Sequence, residues 1–123
     1  KDVTIVTWGA MVHVALEAAE AAAKRGIEVE IVDLRTILPF DAETCVDSVR
    51  RTGRLIVLQE AQYTGGLGHT VSSRILEEAF WNLENAPVVI GALDTPVPFS
   101  PPLEDHTIPS SDYVVRHIRR MCE

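Results

Sequence analysis

Short apolar runs alternate along the chain with longer stretches in which apolar residues recur every three or four positions. The runs at residues 3–8, 28–32, 55–59 and 88–92 are rich in β-branched residues and predict four strands. The periodic stretches predict helices over 11–25, from an Asp41 cap to about 52, over about 70–83, and from a Ser110 or Ser111 cap towards the end of the chain. The expected inner faces are Val12, Ala15, Leu16, Ala19, Ala22 and Ala23 on the first helix, and Cys45, Val46 and Val49 on the second. On the third they are Val71, Ile75, Leu76, Ala79, Phe80 and Leu83, and on the last Val114, Val115, Ile118 and Met121. Glu20 and Lys24 stand one turn apart in the favourable order on the wet side of the first helix. Gly26 and Gly53 are the expected stops of the first two helices. Residues 94–109 read as a stiff proline-rich loop crossing the end of the sheet.

Strands alternating with helices imply parallel pairing and right-handed crossovers, so the expected fold class is α/β, a three-layer α/β/α sandwich. The expected strand order is 2-1-3-4, with the topological switch point between the first and third strands. Trp8-Gly9-Ala10 and the loop at 60–68 then lie at the ligand-binding end of the sheet. That loop contains Thr64-Gly65-Gly66-Leu67-Gly68, a tight turn from a buried strand into a helix. Glycine admits positive φ and close approach of another group to the main chain. Free amides at the start of a helix can bind an anion. Gly9, Glu60, Gly65, Gly66, Gly68 and His69 are therefore the candidate anion or switch-point site. The competing reading is that the glycines simply let helix and sheet pack. Glu60 can act as a base at a strand end, or be a carboxylate bonded to loop amides or an arginine. His69 can donate to an anion, or be a partly exposed helix residue without a chemical task. Arg35 can grip an anion in a forked geometry, fix its own loop through a salt bridge, or make a subunit contact.

Composition narrows the classes. The chain has 123 residues, 46% hydrophobic and 24% charged, which suits one domain over residues 1–123. A net charge of −7 argues against nucleic acid as a partner. No apolar run approaches the roughly 20 residues of a membrane span. Cys45 and Cys122 lie far apart in helical patterns, and the four histidines show no ligand spacing with them, so neither a disulfide framework nor a metal site is expected. Reduced thiols suit a cytosol-like compartment. No nucleophile–base–orienter set is visible, so no catalytic residue is expected in these residues. The chain enters its first strand almost at once, as a domain cut from a longer polypeptide would.

Three segments carry a family resemblance. They are Leu34-Arg35-Thr36-Ile37-Leu38-Pro39-Phe40-Asp41; Ser48-Val49-Arg50-Arg51-Thr52-Gly53-Arg54-Leu55 running on to Glu60-Ala61 and the glycine turn; and Asp94-Thr95-Pro96-Val97-Pro98-Phe99 with Leu103-Glu104-Asp105 and Ile108-Pro109. In this order and spacing the chain resembles the C-terminal, transketolase C-terminal-like domain of the β subunit of 2-oxo acid dehydrogenase E1 components. Those enzymes use thiamine diphosphate to decarboxylate pyruvate, branched-chain 2-oxo acids or related substrates such as acetoin. The resemblance implies thiamine diphosphate and Mg2+ in the parent enzyme, held between the E1 α subunit and the N-terminal part of β rather than by these residues. It implies an assembly and docking role, with the E1 α subunit, a second E1 β subunit and the E2 subunit-binding domain as partners, and an isolated chain without activity. It implies the cytoplasm, or the mitochondrial matrix in a eukaryote. E2 binding modules of the family are basic, which makes Glu84 and Glu123 candidate docking residues, the competing reading being a merely solvated surface charge. The family's short antiparallel edge strand, upstream of the segment at Val3, has no counterpart here, which leaves a bare sheet edge. His69 stands where many relatives carry a small or acidic residue. The alternatives are a small anion- or effector-binding module built on Gly65 to Gly68, and the C-terminal domain of a transketolase or deoxyxylulose-phosphate synthase. The loop at 94–109 speaks against the latter pair.

Overall fold

The computed structural model describes residues 1–123. In chain order the elements are β1 (Val3–Thr7), α1 (Met11–Ala23), β2 (Val29–Asp33), α2 (Ala42–Thr52), β3 (Leu55–Gln62), α3 (Leu67–Ala79) with a 3-10 turn at Phe80–Asn82, β4 (Val88–Ala92), α4 (Pro101–Thr107) and α5 (Ser111–Cys122). The strands form one parallel sheet in the order β2-β1-β3-β4. The strand order is the one expected of four strand–helix units wound about β1.

Successive side chains of a strand point to opposite faces, and the sheet has a core on each. On one face Val3, Ile5, Ile56 and Leu58 pack against Ala15, Ala18 and Ala22 of α1 and Val114 and Ile118 of α5. On the other Val6, Leu55 and Val57 meet Cys45, Val46 and Val49 of α2 and Val71, Ile75 and Ala79 of α3. Each fully buried Val, Leu or Ile stabilises the fold by about 1.5–3 kcal/mol. The polar group on this second face is satisfied internally, because the Thr4 hydroxyl lies 2.8 Å from those of both Ser48 and Thr52. Burial pushes the Cys45 thiol up to about 11, so it is an inert core residue. Asp41 caps α2 by accepting from the Thr44 amide at 3.1 Å, Gly53 ends it at φ +73°, and Ser110 caps α5 through the Tyr113 amide.

Several boundaries and faces differ from the sequence reading. The buried stripe of α1 is Met11, Ala15, Ala18 and Ala22, and Leu16 is half exposed. The small stripe lets α1 lie close to the sheet and α5, which turns the bulkier Leu16 outward. α1 ends at Ala23, so Lys24 is already its cap and forms no ion pair with Glu20. α3 begins at Leu67 rather than near 70 and tightens at its far end into the 3-10 turn. That tightening swings Phe80 out of the core and onto Trp81, edge to face at 5.0 Å between centroids. The proline-rich segment contains α4, because Pro101 and Pro102 occupy the first helical positions, where a missing amide costs nothing.

Candidate functional site

The glycine turn sits where β3 hands over to α3. β3 is apolar and fully buried from Leu55 to Leu58, then places Gln59, equally buried, on the α3 face. The Gln59 side-chain amide donates to the Gln62 carbonyl at 2.9 Å, and its oxygen accepts from the Gly68 amide at 2.6 Å. A helix-start amide of the kind that would receive an anion is thus occupied by the chain's own side chain. Gly66 and Gly68 follow from the same packing. A Cβ on Gly66 would stand 2.1 Å from the Gln59 nitrogen, and one on Gly68 2.6 Å from its oxygen. Gly65 has φ +78°, a left-handed turn conformation with open space around it.

A second clamp comes from the end of β4. The Asp94 carboxylate accepts from the Thr64 amide at 2.8 Å and from the Thr64 hydroxyl at 2.5 Å. Those bonds hold its carboxyl below the usual aspartate range. His69, in the first turn of α3, lies with its Nε2 2.8 Å from the Tyr63 carbonyl and its ring edge-on to Tyr63 at 4.7 Å. The turn is therefore tied to itself at three points.

The other candidates are spread around it. Gly9 follows β1 at φ +62°, and the β1–β3 register of Thr7 with Leu58 brings it to the neighbouring strand end. Glu60 alternates to the opposite face from Gln59 and lines an open cavity of about 300 Å3 with Leu93, Val97, Glu104 and Ile108. Arg35 pairs with Asp33 at 3.3 Å and fixes its own loop. Glu84 and Glu123 lie at the opposite pole. Arg54, at the entry to β3, donates to the Met121 and Asp2 carbonyls at 2.8 and 3.1 Å and pairs with Glu84 at 2.6 Å. Glu123 pairs with Arg119 at 3.2 Å. Burial pushes the Cys122 thiol up, opposed by Arg54 and reinforced by Asp2, Glu84 and Glu123, so these acids share one end of the molecule.

The residues that organise the turn, Gln59 and Asp94, were not among the candidates. Their signal was a polar residue closing an otherwise apolar buried strand and an aspartate just beyond another. No group of three or more His, Cys, Asp or Glu side chains is arranged to hold a metal ion. No helix is long and apolar enough to cross a membrane.

Comparison with known proteins agrees with this architecture. Residues 1–114 match the family model described as transketolase, C-terminal domain. The β subunit of acetoin:2,6-dichlorophenolindophenol oxidoreductase from Cupriavidus necator is 48% identical over 120 residues, covering 98% of this chain and 36% of that protein. The pyruvate dehydrogenase E1 component subunit beta of Bacillus subtilis is 42% identical over 122 residues, covering 99% of this chain and 37% of its own length. A solved chain titled "Split gene transketolase, inactive beta4 tetramer" superposes with a TM-score of 0.81 at 33% identity, over 99% of this chain and 38% of that one. The chain spans a little over a third of the length of these relatives. With its parallel 2-1-3-4 sheet, two-faced core and glycine turn, the chain belongs to the transketolase C-terminal domain family, and its relatives include E1 β subunits.

Proposed function

We propose that these residues are the assembly and docking domain of the β subunit of a thiamine-diphosphate-dependent 2-oxo acid dehydrogenase E1, and that the chemistry is carried by other parts of the enzyme. The observation that carries this reading is the closed glycine turn. Gln59 and Asp94 satisfy, from within, the amides of Gly68 and Thr64 that a ligand would need. Thiamine diphosphate with Mg2+ does not fit these residues. They offer no clustered carboxylate set for the ion, and the one glycine-rich helix start is occupied by a buried side chain. The domain would join an E1 α subunit and a second β subunit. Its acidic balance, −7 over the chain, suits a basic E2 subunit-binding module, with Glu84 and Glu123 at the docking pole. Arg54 and Arg119 neutralise part of that pole, so docking there depends on exchanging ion pairs rather than on free carboxylates.

Calorimetric titration of the chain with thiamine diphosphate and Mg2+, and separately with inorganic phosphate, tests the division of labour. The expected result is no saturable heat. Saturable binding of either would overturn the reading in favour of an effector-binding module. Docking is tested by titrating a basic E2 subunit-binding module into the assembled enzyme. Glu84→Gln and Glu123→Gln together are expected to weaken it about tenfold, with a smaller salt dependence. An unchanged affinity would move the docking site elsewhere.

A further inference from the structure

Between the loop that precedes α2 and the start of α3 lies an apolar groove of about 290 Å3. Leu38 and Pro39 line it from the loop and Leu67 from the helix, while the buried Val71 and the half-buried Phe40 close it towards the core. Leu38 is 93% exposed and Leu67 54%. Large apolar side chains left exposed around one concavity mark a binding surface. One charged residue lines the groove, Arg74, with Thr70 one turn before it on α3. The Arg74 guanidinium stands 6.0 Å from the centroid of the Phe40 ring, which holds it at the groove. Its ion pair is long and exposed, Nε 3.5 Å from Glu77 on the same helix, and such a pair is worth little. The charges of the loop are otherwise engaged. Asp41 accepts from the Thr44 amide and hydroxyl at 3.1 and 2.6 Å, and Arg35 pairs with Asp33. Glu43 at the start of α2 and Glu78 on α3 are exposed and stand outside the lining.

We propose that this groove binds a small aliphatic carboxylate, its hydrocarbon chain against Leu38, Leu67 and Val71 and its carboxylate on Arg74 and the Thr70 hydroxyl. The inference goes beyond the assembly reading and does not rest on it. The two halves of the ligand follow from two properties of the site. Apolar walls favour a chain that leaves water. A guanidinium resting on a ring keeps its in-plane N–H donors for a forked pair with a carboxylate. A phosphate gains nothing from the walls, and a neutral hydrocarbon gains nothing from Arg74. The volume lies at the lower end of small-molecule sites, about 300–1,000 Å3, which suits a ligand of modest size. The site is separate from the closed glycine turn. The ligand meets side chains of α3, whereas the amides already taken are those of Thr64 and Gly68.

Titration of the chain with octanoate, read by calorimetry and by backbone amide chemical shifts, tests the site. Saturable binding is expected, with the shifts concentrated at residues 37–40 and 67–74. Octanamide keeps the hydrocarbon chain and loses the charge, and is expected to bind about tenfold more weakly. Arg74→Gln should weaken octanoate by a similar factor and leave octanamide unchanged. Leu38→Glu sets a carboxylate on an exposed wall and should weaken octanoate tenfold or more with the circular dichroism unchanged. Absence of saturable octanoate binding, shifts confined to other parts of the chain, or equal binding of octanoate and octanamide overturns the inference. Equal binding would make the groove an apolar seat for a side chain of another polypeptide. None of these failures alters the phosphate and thiamine diphosphate titrations, so the assembly reading is judged separately.

Discussion

The glycine turn and the Leu38–Leu67 groove meet at the start of α3, yet one is closed and the other open. At the turn the backbone groups a ligand would seek are taken by Gln59 and Asp94, and the glycines are small because Gln59 fills the space. In the groove Arg74 stands beside apolar walls with only a long contact to Glu77. Glycine-rich turns at helix starts invite a ligand reading. The difference teaches that glycine alone does not make a ligand site. What matters is whether the chain supplies its own acceptor for the freed amides, and here it does.

The comparison breaks first at the turn. Gly66→Ala forces a methyl into the buried Gln59 amide, and the expected loss of stability is about 3 kcal/mol, from overpacking plus the displaced hydrogen bonds. Gln59→Ala leaves the Gly68 amide and Gln62 carbonyl without their partner and opens a void, for an expected loss of about 2 kcal/mol. Denaturant unfolding of both measures these. The double variant sharpens the point: with Gln59 truncated, the methyl added by Gly66→Ala has room, so the two losses should fall short of additivity by about 1 kcal/mol or more. Additive losses would mean that Gly66 is small for some other reason.

A smaller effect is expected at the open groove. Leu38→Glu, on an exposed wall, should cost the isolated fold less than about 1 kcal/mol while weakening carboxylate binding, so stability and ligand binding separate there. The smallest effect concerns the Asp94 clamp. Its carboxyl lies below the ordinary aspartate range when folded because Thr64 donates to it twice. The carboxylate form is therefore bound more tightly in the folded chain. Its contribution is complete above the unfolded aspartate pKa and is lost as the pH falls through the lower folded value. Melting temperature followed from neutral to acid pH should decline less steeply in Asp94→Asn than in the parent. Equal slopes would remove Asp94 from the account of the turn.

The hydrophobic pattern, with caps and right-handed crossovers, determined the four strands, their parallel order, both ends of α2 and the starts of α1 and α5, because these are local or topological constraints. Asp41, Gly53 and Ser110 act as their residue types require. The resemblance carried by the Leu34 to Asp41 and Asp94 to Pro109 segments led to the family as well. Tertiary packing decided the rest. Which stripe of α1 turns inward depends on how close a helix of alanines can come to its neighbours, and only the assembled sheet fixes that for Leu16 and Ala18. The closing of the glycine turn depends on Gln59 and Asp94 reaching amides nine and thirty residues away in sequence. Lys1 and Arg51 meet Glu30 across the fold, a pairing no local pattern announces. Contacts between residues distant in sequence leave no periodic trace in a single chain, so these features became legible only in three dimensions.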